Sequence, residues 1–257
     1  MRFLAYLEYS LYLCSILKRP PILSCIGPSH FLVAYFVKIV IMSERVTFYV
    51  DGFNFYYGLK AKKRIDGNWQ LAYWIDIVKL FSQFLGPSQT LEKVVYFTAS
   101  PLNIEKNLRQ GALFNANKLL NGSKFELIRG KYLKKTVECP NCKYAIPRPE
   151  EKKTDVNVAI RMIDDCFEDK TDVIVLVSGD SDLLPPLEFI QKKYPLKKIR
   201  VYFPPTIFSL DLKNSVKLRN GKIVFLENNF KKFLNSIMPD VILKDGKTYT
   251  IPAKWKL

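Results

Sequence analysis

The chain has 257 residues, 48% hydrophobic and 25% charged, with 40 Lys and Arg against 24 Asp and Glu for a net charge of +16. Such a composition is globular rather than disordered and long enough to bury a sizeable core. A single histidine, His30, excludes Ser-His-Asp, Cys-His and histidine-rich zinc catalysis, and five cysteines, an odd and sparse set, exclude a disulfide framework and fit a reducing cytoplasm.

Residues 1–41 are apolar and aromatic and differ in character from the rest of the chain. Glu8 interrupts the first apolar stretch, and Pro20, Pro21, Gly27 and Pro28 break up the longest uncharged run, so neither a signal peptide nor a spanning helix is well formed. Met42 stands directly before a strand and is the expected initiator. Residues 1–41 are then an upstream extension, and no membrane partner is expected unless that extension is real.

From Met42 strands and helices alternate. Val46–Val50 reads as a strand ending at Asp51, and a helix starts at Phe53. Ile75–Phe84 carries Ile75, Val78 and Phe81 at helical spacing, and a second strand runs over Leu91–Thr98. Ile104–Leu120 is a long helix with Leu108, Ala112, Asn115 and Leu119 along one side. A third strand, Lys124–Ile128, leads into a cysteine-containing insert at about 134–150. Asp155–Phe167 is a helix whose expected buried stripe is Val156, Ile160, Ile163 and Phe167. The run Val173-Ile174-Val175-Leu176-Val177 is apolar on both faces, as central parallel strands are. A helix at Leu183–Lys193, strands at Lys198–Phe203 and Ile223–Leu226 and a helix at Asn229–Ile237 complete a domain over 42–239. The expectation is an α/β fold, a doubly wound, mostly parallel sheet in a three-layer α/β/α sandwich. The basic tail, 240–257, is expected to be peripheral. No phosphate-binding loop or dinucleotide fingerprint occurs, so no nucleotide cofactor is expected.

Asp51 follows the first strand, and Asp180 and Asp182 follow the most apolar one. Ligands of open α/β sheets bind outside the carboxyl ends of the strands, so these acids fall on one edge. Asp155 opens a helix next to Val156, which aims it inward. Two like charges about 4 Å apart repel by about 4 kcal/mol at an effective dielectric near 20. A convergent set therefore calls for a cation, and an all-oxygen set favours Mg2+ or Mn2+. Taken singly, each acid has a structural alternative as a helix cap or first-turn acid.

Three stretches, Tyr49-Val50-Asp51-Gly52-Phe53-Asn54, Glu151-Lys152-Lys153-Thr154-Asp155-Val156-Asn157-Val158-Ala159 and Val177-Ser178-Gly179-Asp180-Ser181-Asp182, resemble the NYN domain family in its LabA-like branch, related to PIN nucleases. The resemblance spans about Arg45 to Phe233. It implies a PIN-like sandwich and a magnesium-dependent ribonuclease. By motif, Asp51, Asp155, Asp180 and Asp182 correspond to metal-binding acids. Asn54 corresponds to a polar residue that orients water or phosphate, and Ser178 to a hydrogen-bonding neighbour of the cluster.

Cys139-Pro140-Asn141-Cys142 has the form of half a zinc knuckle. A metal-free loop is the favoured reading, and zinc shared within a homodimer is the alternative. Lys131, Lys134, Lys135, Lys152 and Lys153 flank the insert and are expected to bind substrate, with Tyr56, Tyr57, Tyr132 and Tyr144 as stacking candidates. The leading function is hydrolysis of single-stranded RNA. A non-catalytic RNA-binding or regulatory module is the alternative. An aspartyl phosphatase would need an Asp where Phe53 stands.

Overall fold

Strand β1, Glu44–Asp51, is the hub of the molecule. Its side chains alternate between two separate cores: Val46, Phe48 and Val50 face one, and Tyr49 faces the other. Strand β8, Val173–Val177, divides in the same way and is wholly buried, so its continuous apolar run marks a strand covered on both sides. A computed structural model describes residues 43–147, 150–218 and 221–256. The expectations for residues 1–41 and for Met42 lie outside the described residues.

Between β1 and β8 the chain forms helix α1 (Gly52–Ile65), a 3-10 stretch, helix α2 (Ile77–Ser82), β2 (Gln89–Thr98), α3 (Ile104–Asn121) and β3 (Phe125–Arg129). Next come β4 (Lys131–Leu133), β5 (Thr136–Glu138), β6 (Ala145–Pro147), β7 (Glu150–Lys152) and α4 (Thr154–Phe167). After β8 come α5 (Leu184–Lys193), β9 (Lys198–Phe203), α6 (Leu210–Leu218), β10 (Lys222–Phe225), α7 (Phe230–Leu234) and the hairpin β11 (Val241–Lys244) and β12 (Lys247–Thr250). Six strands form one parallel sheet in the order β10-β9-β8-β1-β2-β3. The winding reverses between β1 and β8, and such a switch point opens a crevice at the carboxyl ends of its strands. Helices α1, α2, α3 and α7 contribute to one core, and α4, α5 and α6 to the other. The expected three-layer α/β/α sandwich is the fold.

Several local expectations need correction. Helix α4 buries Val158, Met162, Asp165 and Cys166, while Val156, Ile160 and Phe167 are 60–72% exposed. The helix carries apolar stripes on two opposite faces. The inner one is disguised by Asp165, whose charge is satisfied by Arg161 and the Tyr49 hydroxyl. On α3, Ala112 and Leu119 of the expected side pack partly buried against the core, Leu108 and Asn115 are exposed, and Phe114, Ala116 and Asn117 are the buried residues. Helix α2 begins only at Ile77, because Asp76 accepts the Lys79 N–H at 2.9 Å and caps it there. Helix α6 and the hairpins have no counterpart in the sequence reading.

The segment from Asp240 is not peripheral. Ile242 and Trp255 are buried in the α1/α3 core, and the Trp255 ring lies 5.9 Å from Tyr73. Among the described residues no helix is long and apolar enough to cross a membrane.

Candidate metal centre

Asp51 ends β1 and caps α1, accepting the Phe53 and Asn54 N–H groups on Oδ1, each at 3.0 Å. The abrupt strand-to-helix turn requires Gly52, since a Cβ there would stand 2.4 Å from the Phe97 carbonyl oxygen and 2.4 Å from the Tyr96 ring. Asp180 follows β8 across the switch point and caps the next turn by accepting the Asp182 N–H at 3.0 Å. Asp155 reaches the same point from the first turn of α4. Carboxylate oxygens of Asp51, Asp155 and Asp180 all lie within 4.8 Å of one another.

Asp182 remains outside that trio and is exposed. Ser178 is fully buried: its Oγ donates to Asp51 Oδ2 at 2.8 Å and accepts the Asp180 N–H at 3.0 Å. Asn54 donates from Nδ2 to Asp51 Oδ2, and its Oδ1 accepts the Gly179 N–H at 3.3 Å. Both ends of the Asn54 amide are committed within the protein. Asn54 and Ser178 therefore position Asp51, and Ser178 is a hydrogen-bonding neighbour of the cluster as the resemblance implied.

Burial pushes the Asp51 carboxyl upward, against the hydrogen bonds from Asn54, Ser178 and Phe53 that favour its charge. Asp155 rises to about 6, first from burial and then from the charges of Asp51, Asp180, Glu151 and Asp182. Mutual repulsion in a partly desolvated, all-oxygen set is what a hard divalent cation relieves, so these residues fit a divalent metal ion. Glu151 was not singled out from sequence as a site residue. It accepts the Thr154 N–H at 3.1 Å and thereby fixes the start of α4 beside Asp155. An acid three residues before a helix start was the available signal.

The raised Asp155 pKa stabilises the metal-free fold fully below the unfolded value near 3.8, and that contribution is lost as pH rises through about 6. Metal-free melts should therefore decline between pH 4 and 7 relative to Asp155→Asn, and Mn2+ should remove the decline. Parallel curves for wild type and variant would disprove the coupling.

Of the flanking lysines, Lys135 and Lys152 both pair with Glu150, at 3.2 and 2.7 Å, which offsets part of their charge. Lys131, Lys134 and Lys153 are exposed, with Lys131 opposite Lys152 across the β4–β7 ladder. Cys139 and Cys142 occupy the turn of the β5–β6 hairpin as free thiols. N–H groups of Cys142 and Asn141 on the Cys139 sulfur lower its pKa. Among the described residues the acidic trio forms the one group of three or more potential metal ligands, so the knuckle remains half a site. Cys139→Ser with Cys142→Ser should leave metal-dependent activity within about twofold, because no carboxylate of the trio relies on the hairpin. A parallel loss of activity and bound zinc would refute this.

Comparison with known proteins adds three findings. A family model described as NYN domain matches residues 45–220, more than half of the chain. The 6-hydroxy-3-succinoylpyridine 3-monooxygenase HspA of Pseudomonas putida is 27% identical over 180 residues, covering 57% of this chain and 55% of that protein, so the chain spans about half the length of this curated relative. The crystal structure of a protein of unknown function from Vibrio parahaemolyticus superimposes with a TM-score of 0.46 at 20% identity, over 71% of this chain and 93% of that one.

Proposed function

The chain belongs to the NYN domain family of PIN-like nucleases, and on that premise we propose that it is a metal-dependent ribonuclease acting on single-stranded RNA. The observation that carries the reading is the convergence of Asp51, Asp155 and Asp180 at the switch point of the sheet. These three would hold Mg2+ or Mn2+. When bound, such an ion polarises a phosphoryl oxygen and acidifies water. The monooxygenase name belongs to a relative that matches over about half of each chain, and the proposal takes nothing from it.

The protein's own part is orientation and charge. Four donors, from Phe53, Asn54 and Ser178, hold both oxygens of Asp51, so that carboxylate meets a ligand without reorganising. Asp155, on a different element, completes the set and holds a proton below about pH 6 until a cation replaces it. The exposed Lys131, Lys134 and Lys153 provide phosphate contacts along the approach to α4.

The test is cleavage of end-labelled single-stranded RNA, and of DNA of the same sequence, with Mn2+, Mg2+ or EDTA. The proposal expects RNA cleavage with either metal and none in EDTA. Binding without cleavage under every condition would leave only an RNA-binding module, and preferential cleavage of DNA would overturn the RNA assignment.

A further inference from the structure

A cavity of about 440 Å³ opens between α1 and α3, above the carboxyl end of β2. That volume lies within the range of about 300–1,000 Å³ usual for small-molecule pockets. Its wall begins at Gly52 and Phe53, the two residues after Asp51, so it adjoins the acidic trio. The character of the two regions is opposite. Tyr56, Tyr57 and Tyr132 line the cavity together with Lys60, Lys106 and Arg109, and no acidic side chain lines it.

The tyrosines are not there merely to fill core. Tyr56 and Tyr57 are 40% and 51% exposed, although both stand on a helix whose Phe55 and Leu59 are buried. Tyr56 is braced from below by Tyr73 at 5.9 Å between ring centroids, and the two exposed rings meet edge to face at 5.5 Å. The Lys60 ammonium lies over one face of the Tyr57 ring, 5.8 Å from its centroid, which sets a cation beside the aromatic wall. Arg109 shares its charge with the exposed Glu105 at 3.6 Å. Gln110, also on the wall, donates from Nε2 to Thr98 Oγ1 at 3.2 Å and to the Ala99 carbonyl at 3.3 Å, and its Oε1 is buried without a hydrogen-bond partner.

We infer that this cavity receives one unstacked nucleobase of the strand whose backbone crosses the carboxylate cluster, with Tyr57 as the stacking ring and Lys60 and Lys106 on the neighbouring phosphates. The inference rests on the nucleic-acid function proposed for the cluster and adds a subsite to it. A flat ring joined to an anion matches aromatic walls under a cationic rim. A duplex offers neither a free base face nor a backbone that can bend into the cavity, so the subsite selects single strands.

The experiment uses the full chain in EDTA, where any cleavage reading is silent. Labelled ten-nucleotide single strands are titrated, one intact and the others each with an abasic site at one position. Tyr57→Ala should weaken binding of the intact strand about tenfold, the usual scale for one stacked base, with an unchanged melting temperature because the ring is half exposed. One abasic position should produce the same loss, and combining it with Tyr57→Ala should lose no more. Lys60→Gln with Lys106→Gln should reduce the salt slope by about 1.4, two single-strand phosphate contacts. Wild-type affinity in Tyr57→Ala, additive losses at every abasic position, or a free mononucleotide that binds more tightly than the strand would each overturn the inference. If the coupling holds but no RNA is cleaved, the subsite stands and the nuclease reading falls. If RNA is cleaved but the coupling is absent, the reverse is true.

Discussion

Asp180→Asn is expected to abolish metal-dependent cleavage while leaving the metal-free fold at least as stable as the wild type. Asp180 follows the most buried strand and contributes one oxygen to the acidic trio. Its structural duty is to accept the Asp182 N–H, and an asparagine carbonyl performs that equally well. The substitution removes one of the charges that hold Asp155 up at about 6, so the metal-free protein loses repulsion rather than a cap. Loss of partners that only orient metal ligands commonly costs about 10- to 100-fold, and a ligand itself costs more, so the fall in rate should exceed about 100-fold. Thermal melts without metal measure the first half, and RNA cleavage in Mn2+ the second. Wild-type cleavage by the variant would remove Asp180 from the site. A much lower metal-free melting temperature would make it a structural residue.

Arg161→Met should produce the largest loss of stability. Arg161 Nε donates to both oxygens of the buried Asp165 at 2.9 Å, and its terminal nitrogens bind Glu126 at 2.6 and 3.1 Å. Asp165 also accepts the Tyr49 hydroxyl at 2.9 Å. The network fastens α4, and with it Asp155, to β1 and β3. Burial opposes the charge of Glu126, yet hydrogen bonds from Arg161 and Lys93 lower it to about 2. Removing the shared cation leaves the buried Asp165 with only the Tyr49 hydroxyl and the half-buried Glu126 with only Lys93, at a cost of about 3 kcal/mol, the lower end of the range for a broken buried pair because those two partners remain. For a domain of this size that is roughly a 10 °C fall in melting temperature. The sign with pH is also fixed. A depressed glutamate stabilises above its unfolded pKa of 4.5, and that contribution disappears as pH falls toward 2, so wild type and variant should converge in acid. A loss under about 1 kcal/mol at pH 7 would show the network to be surface decoration.

The two predictions separate what sequence could and could not supply. The sheet, its central strand and the edge that carries Asp51 and Asp180 were all legible, because strand character and strand ends are local properties. A run such as Val173–Val177, with no polar face, has few other places to go. Asp155 was rightly aimed at the cluster, but for a wrong reason, since its neighbour Val156 is exposed. Helix α4 offers two apolar stripes, and periodicity ranks them without seeing that Arg161 and Tyr49 make Asp165 acceptable inside.

Sequence by itself determined the fold class and which acids stand at strand and helix ends, since both follow from residues a few positions apart. Tertiary structure alone decided which acids meet. It left Asp182 outside the trio, turned Asn54 and Ser178 inward as clamps on Asp51, drew Trp255 into the core and set lysines from α1 and α3 around an aromatic cavity. Those outcomes depend on contacts between residues tens to hundreds of positions apart. Their geometry is set by how the two helical layers close on the sheet, and no short window of the chain carries that information.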